Sequence, residues 1–212
     1  MAEPTIELRS LSVRRGGVFV LEDVDLRLAA GIYTLVGQNG AGKSTLLRAL
    51  AGIQPPARGQ VLINGHDLWT KPVAARRGLG YLPESPEFFP YLTPRELLET
   101  VNAVRGLEPS VGHEQFDHWV GGAALDRRIG TLSAGQRRKL ALIAAITHEP
   151  GIVLLDEPTN TLDAAAVADL EQLLRRWGDG GRLVIIASHN PEALGVEARA
   201  RLRVADRRVS LE

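Results

Sequence analysis

An α/β fold with a mainly parallel sheet is predicted by three kinds of segment in this 212-residue sequence. Short, continuous apolar runs, IYTLVG (32–37), GIVLLDE (151–157) and RLVIIASH (182–189), read as strands covered on both faces, which is the habit of parallel sheets. Each is followed by a helical pattern: KSTLLRALAG, LDAAAVADLEQLLRRW and PEALGVEA. Strand alternating with helix calls for right-handed crossovers around an α/β core. Stretches of loose or clear period-two alternation near the N-terminus add an antiparallel β part.

In order along the chain, IELRSLSV (6–13) and VLEDVDLRL (20–28) are half-buried antiparallel strands. In the second, Val24, Leu26 and Leu28 face one way and Asp23, Asp25 and Arg27 the other. GQVLING (59–65) is a third, ended by an Asn-Gly turn. A strand in GLGYLPES leads into a helical excursion. There TPRELLETVNAVRG has Thr93 to cap the helix, Pro94 at its first position, Glu96 to complete a capping box and Gly106 to stop it. HEQFDHW and the segment after Ser133 continue the helical pattern. Residues of about 85–148 are therefore expected to form a helical lobe inserted into a core made of 1–84 and 149–212, all within a single domain over 1–212.

Composition narrows the function. The formal net charge is zero, which argues against a partner such as nucleic acid held by a basic field. The doublets Arg76-Arg77, Arg127-Arg128 and Arg207-Arg208 are scattered and read as solvated surface. With no cysteine, neither disulfides nor thiolate metal sites are available. The five histidines (66, 113, 118, 148, 189) show no metal-ligand spacing among themselves. The start MAEPTIELRS lacks the apolar run of a signal peptide, and LALIAAI (140–146) is far below the ~20 residues of a membrane span. The chain is expected to be soluble, with any membrane role reached through a partner.

GQNGAGKST, between an apolar strand and a helix, fits the phosphate-binding P-loop pattern G-x-x-x-x-G-K-[ST]. Gly37, Gly40 and Gly42 let the backbone of Gln38, Asn39 and Ala41 curl so that amides face phosphate oxygens, an array that Lys43, Ser44 and Thr45 continue into the helix. Lys43 reaches β- and γ-oxygens and Ser44 can ligate Mg²⁺. Arginine fills all but three of the 25 basic positions, yet this one is lysine, whose thin stem fits inside a closed loop. The strand IVLLDE (152–157) ends in Asp156 and Glu157, at the carboxyl ends of the strands where α/β proteins hold ligands. Asp156 is read as a Mg²⁺ holder and Glu157 as the group that polarises water. His189, ending another strand, can donate to a γ-phosphate.

In order the chain carries GQNGAGKST, TLSAGQRRKL, IVLLDEP, NTLD and ASH, a set that resembles the nucleotide-binding domain of ATP-binding-cassette (ABC) transporters over nearly its whole length. The resemblance implies a P-loop ATPase core using ATP and Mg²⁺, with Lys43, Glu157 and His189 catalytic. It also gives the second helix start a purpose. Taken alone LSAGQ is an ordinary helix start; in the family Ser133, Gly135 and Gln136 would cap the γ-phosphate held by another copy in a head-to-tail dimer, with Asp163 of NTLD nearby. Arg15 stands where the family stacks a ring on adenine, with Phe19 and Val18 as alternatives. Glu84 takes the place of a glutamine that touches Mg²⁺ and the attacking water, as in some exporters. Ala134 replaces a glycine. The implied partners are a membrane transporter subunit and a second ATPase subunit, most simply a homodimer, on the cytoplasmic face of the cell membrane, and Glu84 leans the direction towards export. The competing reading is an ABC ATPase of a non-transport kind, in assembly or nucleic-acid work. Four of the ten aromatic residues, Tyr81, Phe88, Phe89 and Tyr91, fall at the entry to the lobe. They read either as its small core or as a groove for a helix of the membrane subunit.

Overall fold

The computed structural model describes residues 3–189 and 194–212. The chain opens with a hairpin of β1 (Ile6–Arg15) and β2 (Val18–Leu28), then enters the interior as β3 (Gly31–Val36) and α1 (Lys43–Leu50). It returns as β4 (Arg58–Ile63) and β5 (His66–Asp67), joined at Asn64-Gly65, whose φ of 51° and 75° suit the right-handed twist of a tight hairpin. The short α2 (Pro72–Arg76) precedes β6 (Leu79–Leu82). Three helices follow, α3 (Pro94–Arg105), α4 (His113–Val120) and α5 (Ala134–Ile146). The chain then completes the interior with β7 (Ile152–Asp156), α6 (Ala164–Asp179) and β8 (Leu183–Ala187), and ends in the hairpin β9 (Ala200–Ala205) and β10 (Arg208–Leu211).

Two sheets result. The first, in the order β2-β1-β4-β5, is antiparallel; the second runs β10-β9-β3-β8-β7-β6 and is parallel at every pair from β9 to β6. The central strands split their apolar residues strictly by parity, because successive side chains leave a strand on opposite faces. Ile152 and Leu154 of β7 and Leu183, Ile185 and Ala187 of β8 enter the layer shared with α1 and the antiparallel sheet. Val153, Leu155, Val184 and Ile186 enter the layer shared with α5, α6 and the lobe aromatics Phe116 and Trp119. The helical insertion thus shares its apolar interior with the sheet. Its first helix is fixed locally: Thr93 accepts from the Glu96 amide, the Glu96 carboxylate accepts from the Thr93 amide, and Gly106 ends the helix in the left-handed region.

Two local readings of the sequence are corrected, and one element was not foreseen. Of PEALGVEA, Leu194 lies in a 3-10 turn and residues 195–198 are irregular, Gly195 having a φ of 55°, while residues 191–193 lie outside the described residues. The terminal hairpin β9–β10 has no Asn-Gly signal; its turn places Asp206 and Arg207 at positive φ, and parallel pairing with β3 holds β9 in place. Arg76 is not solvated surface, since it is half-buried and donates to the Gly52 carbonyl at 2.7 Å. Among the described residues no helix is long and apolar enough to cross a membrane.

His148, at the end of the insertion, is half-buried with Nε2 3.2 Å from the Leu79 carbonyl oxygen and Nδ1 buried without a partner. Burial, and then the neighbouring Arg105 guanidinium, push its pKa down from 6.5 to about 4. The unfolded chain takes up a proton that the folded chain refuses across that window. Stability should therefore fall as pH drops from about 6.5 towards 4. Melting curves at pH 7 and pH 5 should show His148→Gln losing less than the parent, by about 2–4 °C for a difference near 1 kcal/mol. Equal losses in the two proteins would show that this ring does not govern the acid limb.

Candidate functional site

The site begins at a helix start with no cap. The loop 37–42 leaves β3 and turns into α1 through Gly42, whose φ of 114° lies in the left-handed region. A Cβ there would sit 2.9 Å from the Val20 side chain, so glycine is required on both conformational and steric grounds. No side chain caps α1, no acidic residue stands in its first turn, and the first amide to bond back is that of Leu46, to the Gly42 carbonyl. The amides of Lys43, Ser44 and Thr45 therefore point outward together at the positive end of the helix, an arrangement that binds anions. The Lys43 ammonium closes the loop, donating to the Gly37 carbonyl at 2.8 Å and the Gln38 carbonyl at 3.3 Å.

Above it lies an open cleft of about 490 Å³, walled on this side by Asn39, Gly40, Gly42, Lys43, Ser44 and Thr45. The ends of β6, β7 and β8 supply the opposite wall: Glu84, Asp156, Glu157 and His189. Asp156 is 2% exposed and stands on the strand face that looks at α1. Burial, with Glu84 adding to it, raises its pKa, against a hydrogen bond from the Ser44 hydroxyl that lowers it. Its Oδ2 is buried without a partner. An orphaned carboxylate oxygen beside a serine hydroxyl fits a hard divalent cation. No group of three or more acidic or histidine side chains is gathered for a metal among the described residues. Asp156 and Ser44 could hold a divalent cation only with ligands from outside the chain to complete its shell.

Glu157 is held in a posture that costs conformational energy. Its φ is 49°, in the left-handed region, and its amide donates to the Ala187 carbonyl at 2.8 Å. Its carboxylate accepts from the His189 amide at 3.3 Å and lies 3.3 Å from His189 Nε2. Arg15 and Val20 form the remaining edge of the cleft. Phe19 does not line it; the guanidinium of Arg14 sits 4.0 Å above its ring, with Arg58 5.7 Å away.

The second helix start is built in another way and does not line this cleft. Ser133 and Gln136 form a reciprocal capping box: the Gln136 amide donates to Ser133 Oγ and the Ser133 amide to Gln136 Oε1. That leaves the amides of Ala134 and Gly135 outward. Asp163 is also outside the cleft. It caps α6 by accepting from the Ala166 amide at 2.9 Å, and the Lys139 ammonium reaches it at 2.6 Å. That bond, with the helix amide behind it, lowers the Asp163 pKa. Of the lobe-entry aromatics, Phe88 packs against the interior, while Phe89 and Tyr91 are 62% and 64% exposed with ring centroids 5.7 Å apart. Sequence reasoning overlooked Arg138, buried four residues before Leu142 on the apolar side of α5. A cation in phase with an apolar stripe was the available signal.

Residues 21–160 match the protein family described as ABC transporter. A putative ABC transporter ATP-binding protein of Streptomyces avermitilis is 39% identical over 90% of this chain and 35% of its own length. The zinc import ATP-binding protein ZnuC of Pseudomonas putida is 33% identical over 90% of this chain and 70% of its own. The chain spans about a third of the Streptomyces relative and 62% of an uncharacterised Bacillus subtilis one, YdbJ. Among solved structures, an ATP-binding subunit of an ABC transporter superposes with a TM-score of 0.87 at 27% identity, over 98% of this chain and 89% of that one. A bacterial Atm1-family ABC exporter with ATP bound shares the fold, with a TM-score of 0.80 at 22% identity over 98% of this chain and 38% of that one.

Gly135 allows the two loops outside the cleft to meet: a Cβ on it would lie 2.7 Å from the Thr161 carbonyl oxygen. Gly135→Ala should therefore push the start of α5 away from the 157–163 segment and cost roughly 1–3 kcal/mol, as overpacking against backbone does. Urea denaturation measures this. An unchanged midpoint would mean that the two segments are not in firm contact.

Proposed function

The chain belongs to the ABC transporter family, and on that premise we propose that it is an ATP-binding and ATP-hydrolysing subunit that drives a separate membrane subunit. The observation that carries this is the cleft itself. An uncapped helix start with its lysine faces, across about 490 Å³, a buried aspartate, a glutamate and a histidine from three strand ends. These are the groups one chain would contribute to transferring a γ-phosphoryl group to water.

In the proposed reaction the amides of the loop and of α1 seat the β- and γ-phosphates, and Lys43 neutralises charge that grows on the oxygens between them. Ser44, Asp156 and Glu84 would hold Mg²⁺, which supplies further neutralisation and fixes the phosphates in place. Glu157 accepts a proton from the attacking water, and its locked backbone gives it the fixed aim that a general base needs. His189, within 3.3 Å of Glu157, orients that carboxylate and donates to the γ-phosphate. Arg15 is proposed to lay its guanidinium plane on the base, supported by its position on the cleft wall beside Val20.

The outward amides of Ala134 and Gly135, with Ser133 and Gln136, are proposed to cap the nucleotide of a second copy. The same helix start on that copy would close the cleft of the first. Head-to-tail pairing around a two-fold axis satisfies both at once. ATP then closes the dimer and hydrolysis reopens it. The membrane subunit is proposed to dock a helix in the apolar groove between the lobe and the sheet, lined by Tyr81, Phe88, Leu97, Val101 and Ala144. This would hold the chain on the cytoplasmic face. Export is proposed as the direction, on Glu84 at the lobe entry. The named relatives include the zinc import ATP-binding protein ZnuC, so that feature alone carries it.

Two carboxylates approach the water, and single-turnover hydrolysis separates them. Glu157→Gln should slow the chemical step by about 10²–10⁴-fold. Glu84→Gln should keep most of the rate and make nucleotide binding less dependent on Mg²⁺, because a repulsive charge near the triphosphate is gone. A dead Glu84→Gln with an active Glu157→Gln would reverse the two roles, and an unmodified chain that leaves ATP intact would remove the reading altogether.

A further inference from the structure

The parallel ladder between β6 and β7 ends at the pair Leu82 and Leu155. The next residue on the β6 side is Pro83, which has no amide to continue it. Beyond that point a side chain takes over. Arg138, 2% exposed on α5, donates from Nη1 to the carbonyls of Pro83 and Glu84, the latter at 2.7 Å. From Nη2 it donates to the carbonyls of Asp156 and Glu157, both at 2.6 Å. One guanidinium therefore joins the two segments that would have formed the next two rungs.

We infer that Arg138 is a positioning residue: it fixes the separation of Glu84 from Asp156–Glu157 and ties both to the start of α5. Arginine alone has two terminal nitrogens held in one plane that can each donate two hydrogen bonds, so each can serve one strand. Binding to main-chain carbonyls immobilises the backbone and leaves the three carboxylates free to face the cleft. The charge also matters. Asp156, Glu84 and Glu157 all favour the cation, against the burial that disfavours it, so a permanent positive charge sits behind a wall of negative ones. Five residues before Arg138 stands Ser133, so a tilt of α5 at one half-site moves the carboxylates of the other. This last consequence rests on the proposed two-copy mechanism; the clamp itself does not.

The test uses the full chain. Arg138→Lys keeps a charge and donors but loses the fork, so kcat for ATP should fall about 10- to 100-fold, as small misplacements of catalytic groups do. KM should stay within about two-fold, since the α1 cradle is untouched. A kcat equal to the parent's overturns the clamp, and so does a KM that rises as steeply as kcat falls. Because the chain has no cysteine, Ser85→Cys and Asn160→Cys can carry spin labels with Arg138 intact. This serves even if Arg138→Lys does not fold. One narrow distance, with and without Mg-ATP, is expected; a broad or two-component distribution overturns the clamp. A parent that holds the narrow distance yet never hydrolyses ATP would sink the proposed function and leave the clamp standing.

Discussion

The N-terminus of α1 is left without any side-chain cap, and the site is organised around that vacancy of hydrogen bonds. A helix end buried in a protein must find partners for its amides. Here Leu46, Leu47 and Leu50 press α1 into the apolar layer between two sheets, while its first turn opens on the cleft. The packing energy of the helix thus holds an anion site in place that no local interaction would favour. The contrast with α5 is instructive. That helix closes Ser133 and Gln136 on each other in a capping box, so what it presents outward is a smaller array, the amides of Ala134 and Gly135. The start of α1 offers a row of amides to a polyphosphate, and in the proposed pairing that of α5 would complete the site on another copy.

Strand parity does the remaining placement. Asp156 has the same parity as Ile152 and Leu154, which face α1, and so its carboxylate meets Ser44 instead of the helical lobe. The next residue would point away, but a left-handed φ at Glu157 turns the chain, and its carboxylate accepts from the His189 amide. Nearby Tyr81 has its hydroxyl buried without a partner and its pKa raised by burial and by Asp156. Negative charge is concentrated at this end of the sheet, and Arg138 stands behind it.

What could be read from the sequence was what depends on short-range chemistry. The apolar runs of β3, β7 and β8, the glycine–lysine loop and the Thr93–Glu96 box each state their geometry within a few residues. The terminal hairpin was missed because β9 is stabilised by β3, far away in the chain, and its turn is made by Asp206 and Arg207 instead of by Asn-Gly. Asp163 was assigned to nucleotide from a motif, while its partners within the chain, Lys139 and the Ala166 amide, depend on how α5 and α6 meet. Arg76 looked like a surface cation and Arg138 was passed over, because the carbonyls that converge on them come from segments distant in the chain. Arg15 and Glu84 do line the cleft, as the motif order suggested.

If neither helix start completes a site alone, two damaged chains should repair each other. Lys43→Ala removes the cradle's cation, and Ser133→Arg obstructs the outward cap; each variant by itself should hydrolyse almost no ATP. Mixed in equal amounts, half the dimers would be hybrids in which one of the two sites pairs an intact cradle with an intact cap, so about a quarter of the parental turnover should return. Recovery near that level is what the composite site requires. A mixture as inactive as its two components would contradict it.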